Sequence, residues 1–158
     1  MTRVASALLP VLLLVSQQAL AVELADYVGE WTGKGTYSQT GGSEGSGRLT
    51  CRLGITSPKA EVIVISGRCA APEGSRGFKT QVTKTGPGTI AGLEMSVANP
   101  RTSSGRLGGS GLRLDGQDSG GAFFFQLSSP ASAAMEMRSS STTGQKTEAA
   151  QVQLKRTK

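Results

Sequence analysis

Apolar residues alternate with polar or small ones along most of the chain, in short runs of period two without the three-and-four spacing of a helix. Leu49, Cys51, Leu53 and Ile55 share one face of such a run, and Ile63, Ile65, Gly67 and Cys69 share one face of the next. The alternation predicts strands over about 29–38, 46–56, 61–70, 78–85, 89–98, 105–115, 121–128, 132–140 and 147–156. Turn formers stand between them: Gly41-Gly42, Pro72-Glu73-Gly74, Gly86-Pro87-Gly88, Asn99-Pro100, Gly116 and Thr143-Gly144. Short strands joined by hairpin-sized connections predict an all-β fold, an antiparallel up-and-down β-barrel of about eight strands. The glycine- and serine-rich stretches Gly41–Gly47, Thr102–Gly111 and Ser139–Gln145 are expected as mobile loops. The polar ends, Val22–Ala25 and Arg156–Lys158, are expected as loose tails.

Residues 1–21 break the alternation. Arg3 precedes an apolar run from Val4 to Val15, and Ala19-Leu20-Ala21 closes it. One positive charge, a short apolar stretch and a small-x-small site are the three regions of a cleavable signal peptide. The run is well short of the ~20 residues that span a bilayer, and Pro10 interrupts it. The predicted organisation is a signal peptide over 1–21 and a single barrel domain over 22–158. The predicted location is periplasmic or secreted, with no transmembrane segment after cleavage near Ala21. In an oxidising compartment the two cysteines read as one disulfide. A hairpin centred near Ala60 sets Cys51 and Cys69 opposite each other on one face, and closing that loop would stabilise the fold by about 3 kcal/mol. A redox or metal-binding pair would need closer CxxC spacing or a histidine, and the chain has no histidine.

The run Gly29-Glu30-Trp31-Thr32-Gly33-Lys34-Gly35-Thr36-Tyr37 places Gly29, the single tryptophan Trp31, Gly33, Gly35 and Tyr37 on one face. A large ring among glycines suits the floor of a tightly coiled barrel. This G-x-W start resembles the lipocalin and avidin group of up-and-down barrels. The resemblance implies a basic residue of the last strand lying across the tryptophan. Val152, Leu154 and Arg156 share a face there, so Arg156 is the matching residue for floor packing with Trp31. With Leu49-Thr50-Cys51-Arg52, Arg68-Cys69-Ala70, Ala122–Leu127 and Val152–Arg156, the chain also looks like uncharacterised exported proteins of alphaproteobacteria, a likeness that brings no activity with it. More distantly, the G-x-W strand, a disulfide on the next hairpin and a basic last strand resemble bacterial inhibitors of secreted metalloproteases. That resemblance implies that the tail Val22-Glu23-Leu24-Ala25 would enter a protease cleft.

Phe123-Phe124-Phe125 is the densest apolar feature, with Phe123, Phe125 and Leu127 facing the core and Phe124 facing the other way. Phe124 and Tyr37 are the candidate ligand or partner contacts. Met135 and Met137 read as core filler, not as metal ligands. The lack of histidine excludes the usual triads and most zinc sites. Asp115-Gly116-Gln117-Asp118 reads as a turn, while Glu94 and Glu136 lie on strands. No catalytic residue, cofactor or metal is expected, and the chain is expected not to be an enzyme. The formal charge of +6 is modest. Arg48, Arg52, Arg68 and Arg76 read as solvation of the outer face, without the aromatic interleaving of a nucleic-acid surface. The leading reading is an exported binding protein for a small apolar ligand or an envelope or extracellular macromolecule. An inhibitor acting through its N-terminal tail, or a structural envelope component, are the other readings.

Overall fold

The computed structural model describes residues 22–42, 44–95, 100–131 and 133–158. The predicted signal segment, residues 1–21, lies outside the described residues, as does Asn99 of the predicted Asn99-Pro100 turn. A short 3-10 helix at Leu24–Tyr27 precedes ten strands. They are β1 (Gly29–Thr40), β2 (Gly45–Lys59), β3 (Val62–Ala71), β4 (Gly74–Gly86) and β5 (Thr89–Glu94). β6 (Thr102–Gly108), β7 (Gly111–Asp118), β8 (Gly121–Ser128), β9 (Ala134–Thr143) and β10 (Lys146–Arg156) complete the sheet. Every strand pairs antiparallel with the next, and β10 closes on β1, so the all-β antiparallel barrel read from the alternation is confirmed.

The strand count differs, and the difference comes from glycines. The segment predicted as one strand over 105–115 is two, β6 and β7, folded back at Gly109-Ser110. Gly111 enters β7 at φ +119°, which only glycine adopts without strain. Gly116 is not a turn. It sits inside β7 opposite Phe123, and the chain reverses at 119–120 instead. The stretches expected as loops over 102–111 and 139–145 are largely ladder: Ser139, Ser140 and Ser141 pair with Ala150, Ala149 and Glu148. Small polar side chains are compatible with a strand whose inner face borders open space. Ten strands also enclose a wider interior than eight.

Cys51 and Cys69 stand opposite each other in the β2–β3 ladder, with Cα atoms 4.1 Å apart, and are joined by the expected disulfide. Apolar side chains concentrate at one end. Trp31, Leu53, Ile55, Ile63, Val82, Ile90, Leu112, Met135 and Leu154 are buried there and form the floor.

The ends of the chain, expected to be loose, seal that floor. Leu24 is 3 % exposed and Tyr27 fully buried. Trp31 Nε1 donates to the Tyr27 carbonyl at 2.9 Å, and Lys84 Nζ donates to Glu23 Oε2 at 2.8 Å. The C-terminal residues continue the ladder past β10: Thr157 N donates to the Glu30 carbonyl at 2.7 Å, and Glu30 N to the Lys158 carbonyl at 3.0 Å. Burial of Leu24 and Tyr27 outweighs the entropy of a free end.

Candidate functional site

The inward positions grade from large to small along several strands. On β1 they run Trp31, Gly33, Gly35, Tyr37, on β9 Met135, Met137, Ser139, Ser141, and on β10 Leu154, Val152, Ala150, Glu148. Bulky residues fill one end of the barrel and leave the other open. The result is a cavity of about 760 Å³. Leu49, Leu114 and Met137 form its base. Phe78 and Phe125 form an aromatic wall, their ring centroids 5.7 Å apart and their planes at 59°. Both rings are only half-buried, so each presents a face to the open space.

Two of the aromatic side chains are seated on glycines. Phe78 stands opposite Gly67 and Phe123 opposite Gly116, and a Cβ on either glycine would overlap the ring. Each ring therefore packs over the glycine of the neighbouring strand, and Phe78 also meets Phe125 across the interior. Hydroxyls border the aromatic wall: Ser139 and Ser141 on β9 pair with Phe125 and Phe123, Thr80 lies two residues from Phe78 on β4, and Ser103 on β6 adds a further lining hydroxyl.

The mouth carries charge of both signs. The Tyr37 hydroxyl donates to Glu73 Oε1 at 2.5 Å, bridging β1 to the β3–β4 turn. This bond holds the Glu73 carboxyl below its ordinary range and raises the Tyr37 phenol, so both keep their neutral-pH states. Arg76 and Lys146 approach Glu148 at 2.9 and 2.7 Å. The bond from Lys146, followed by the Arg76 charge, lowers the Glu148 pKa against partial desolvation. Arg101 pairs with Glu94 at 2.9 Å, and its guanidinium lies 4.7 Å from the Phe123 centroid.

Of the residues singled out from the sequence, Tyr37 lines this cavity and its rim. Phe124 points to the outside of β8, where the Arg113 guanidinium covers it at 4.3 Å. Phe123 and Phe125, expected as core, are cavity walls. Arg76, expected on the outer face, belongs to the rim. Trp31 and Arg156 meet at the opposite end, the guanidinium 4.5 Å from the ring centroid and its Nη2 2.6 Å from the Asp26 carbonyl. The aromatic wall and the rim pairs were not recognised in the sequence. The fading of side-chain size along inward positions was the signal that could have revealed them.

No protein-family model matches the chain, and no curated protein matches it in sequence. Among solved structures, the S-type phycobiliprotein lyase CPES from Guillardia theta is similar, with a TM-score of 0.60 at 12% identity. The match covers 85% of this chain and 90% of that one. The same fold is shared. This corrects the expectation that the chain is not an enzyme: a barrel of this architecture serves a lyase, so the absence of histidine and free thiols does not exclude catalysis here.

Proposed function

We propose that this protein is an exported carrier or receptor whose barrel holds one small, mostly apolar ligand. The observation that carries the reading is the cavity of about 760 Å³, walled by Phe78 and Phe125 and edged by hydroxyls. Its size and its mixture of apolar wall with a few polar groups are those of small-molecule sites. A molecule that combines a flat apolar ring system with a few hydrogen-bonding groups suits such a lining. Export is supported by the character of residues 1–21 and by the disulfide. Among the described residues, no helix is long and apolar enough to cross a membrane. Inhibition through the N-terminal tail finds no support in the position of Leu24, which is buried against the floor.

A native mass spectrum of the protein, isolated mildly from its own source, tests the reading. A reproducible adduct that is lost in Ser139→Phe, which fills the cavity, is the expected result. A clean disulfide-bonded mass, together with no uptake of any apolar fluorescent probe, would overturn it.

A second reading is favoured by the Tyr37–Glu73 pair, a phenol donor beside a carboxylate at the cavity mouth. In that reading the barrel also acts chemically on what it holds, as a lyase does. Turnover of the identified ligand that Glu73→Gln abolishes without loss of binding would distinguish action from storage.

A further inference from the structure

Exposed cations lie on both sides of the barrel, Arg106 opposite Arg113 among them, but they are most numerous on one side. On the outer face of β7 and β9 the arginines are neutralised: Arg113 grips Asp115 at 2.7 and 2.9 Å, and Arg138 bonds Glu136. The outer face of β10, β1, β2, β3 and β4 is different. Lys155, Lys34, Arg48, Arg52, Arg68 and Lys79 are all exposed there. Among the described residues no carboxylate lies in ion-pair contact with any of the six. Glu30, at the floor end of β1, is the one acid among the outward positions of these strands.

The ladder registers place the cations. Lys155 stands opposite Thr32, Thr32 opposite Arg52, and Arg52 opposite Arg68, so three cations share one row across four strands. At the usual strand spacing the row is roughly 15 Å long. Arg48 lies four residues from Arg52 along β2, roughly 13 Å away. Like charges directly opposite one another destabilise a sheet. The Cys51–Cys69 disulfide, one residue from the Arg52–Arg68 pair, fixes the register and prevents the two from sliding apart. A repulsive pair held in register on a face without carboxylate partners favours an anionic partner outside the chain.

We propose that this face docks the barrel on the surface of an anionic lipid bilayer. Arg48, Arg52 and Arg68 stand on the adjacent strands β2 and β3 at the crest of a convex sheet, and such a crest meets an extended charged surface where a groove would track a polymer. No outward position of these five strands carries an aromatic side chain, so there is no platform for stacking bases and no wedge for insertion. Contact is therefore peripheral and reversed by salt. Arg48 adjoins Gly47, whose partner Tyr37 lines the cavity mouth, so a docked barrel holds that mouth beside the bilayer. Docking does not depend on the cavity being a ligand site.

The test uses the chain from Val22 to Lys158, which contains every strand of the closed barrel, and sedimentation with phospholipid vesicles. Binding to phosphatidylcholine vesicles carrying about one-third phosphatidylglycerol is expected, with none to pure phosphatidylcholine. Roughly 0.5 M salt, which shortens the screening length to a few Å, should release the protein. Arg52→Ser with Arg68→Ser should weaken partitioning about twenty-five-fold, roughly fivefold per cation. The same double variant should melt no lower than the parent, since it removes a repulsion and leaves the core intact. Arg138→Ser, which removes a neutralised arginine, should change binding by less than about twofold. Equal binding to neutral vesicles, or unchanged binding by the double variant, would overturn the proposal. So would retention on a soluble anionic polysaccharide without vesicle binding, which would make the partner a polymer.

Discussion

Tyr27 shows how a single group can limit the pH range of the fold. Its hydroxyl is buried, with no acceptor or donor in hydrogen-bonding geometry among the described residues. Desolvation pushes its pKa far above the ordinary phenol range; the nearby Leu112 backbone, too poorly aligned for a full hydrogen bond, offsets this in part, and the Asp26 charge reinforces it. A folded-state pKa above the unfolded one means that stability holds below pH 10 and is lost as pH rises beyond it. Alkaline titration followed by Trp31 fluorescence should show this loss, and Tyr27→Phe should remove it. The same substitution deletes an unsatisfied buried hydroxyl, so urea unfolding at pH 7 should show equal or greater stability, by up to about 1 kcal/mol. Gly116 makes a second single-residue prediction. Gly116→Ala forces the Phe123 ring off β7 and toward the cavity, and probe binding should weaken severalfold while the barrel still folds. Unchanged binding would mean that the ring moves outward instead. That Gly116 seats a ring, where its neighbours Asp115 and Gln117 suggest a turn, was not legible from local composition, because its partner is set by the β7–β8 register.

At the level of elements, the barrel is closed by joints between distant parts of the chain. The β2–β3 hairpin is cross-linked at Cys51–Cys69 with a sequence separation of 18. Replacing both cysteines by serine should cost about 3 kcal/mol on the chain-entropy model, read as a lower urea midpoint. The floor joint brings the Leu24–Tyr27 turn, β1 and the end of β10 together through Trp31 and Arg156. Arg156→Ala removes the cation over the ring and the bond to the Asp26 carbonyl. It should cost about 1–2 kcal/mol and shift the emission of the single tryptophan. A variant as stable as the parent would make Arg156 a solvated end residue. The disulfide was readable because the hairpin is local and its centre near Ala60 is marked by turn formers. The sealing of the floor by the N-terminal turn was not readable, because Leu24 and Tyr27 gain burial only once ten strands have closed beneath them.

For the whole molecule, the distribution of bulk and charge governs behaviour. Large apolar residues gather at the floor, small and hydroxyl-bearing ones line the cavity, and ion pairs ring the mouth. The rim carboxylates Glu73 and Glu148 have pKa values below the ordinary 4.5, through the Tyr37 bond and through Lys146 and Arg76 respectively. A lowered folded pKa contributes stability above the unfolded value that disappears as pH falls through the folded one. Ligand retention should therefore hold from neutral pH down to about 4.5 and fail below it as the rim bonds are lost. Measuring adduct release against pH checks this, and release that ignores the rim variant Glu148→Gln would separate retention from these pairs.

Period-two alternation, the turn formers and the cysteine spacing determined by themselves that this chain forms an antiparallel β-barrel with a cross-linked second hairpin. Those features act between residues close in sequence, where geometry follows from backbone pleat and turn chemistry. The count of ten strands, the cavity, the charged mouth and the row of cations across β10 to β3 were decided only by the tertiary structure. Each depends on which residues face one another across the ladders, and on β10 meeting β1, and a linear pattern does not contain those pairings.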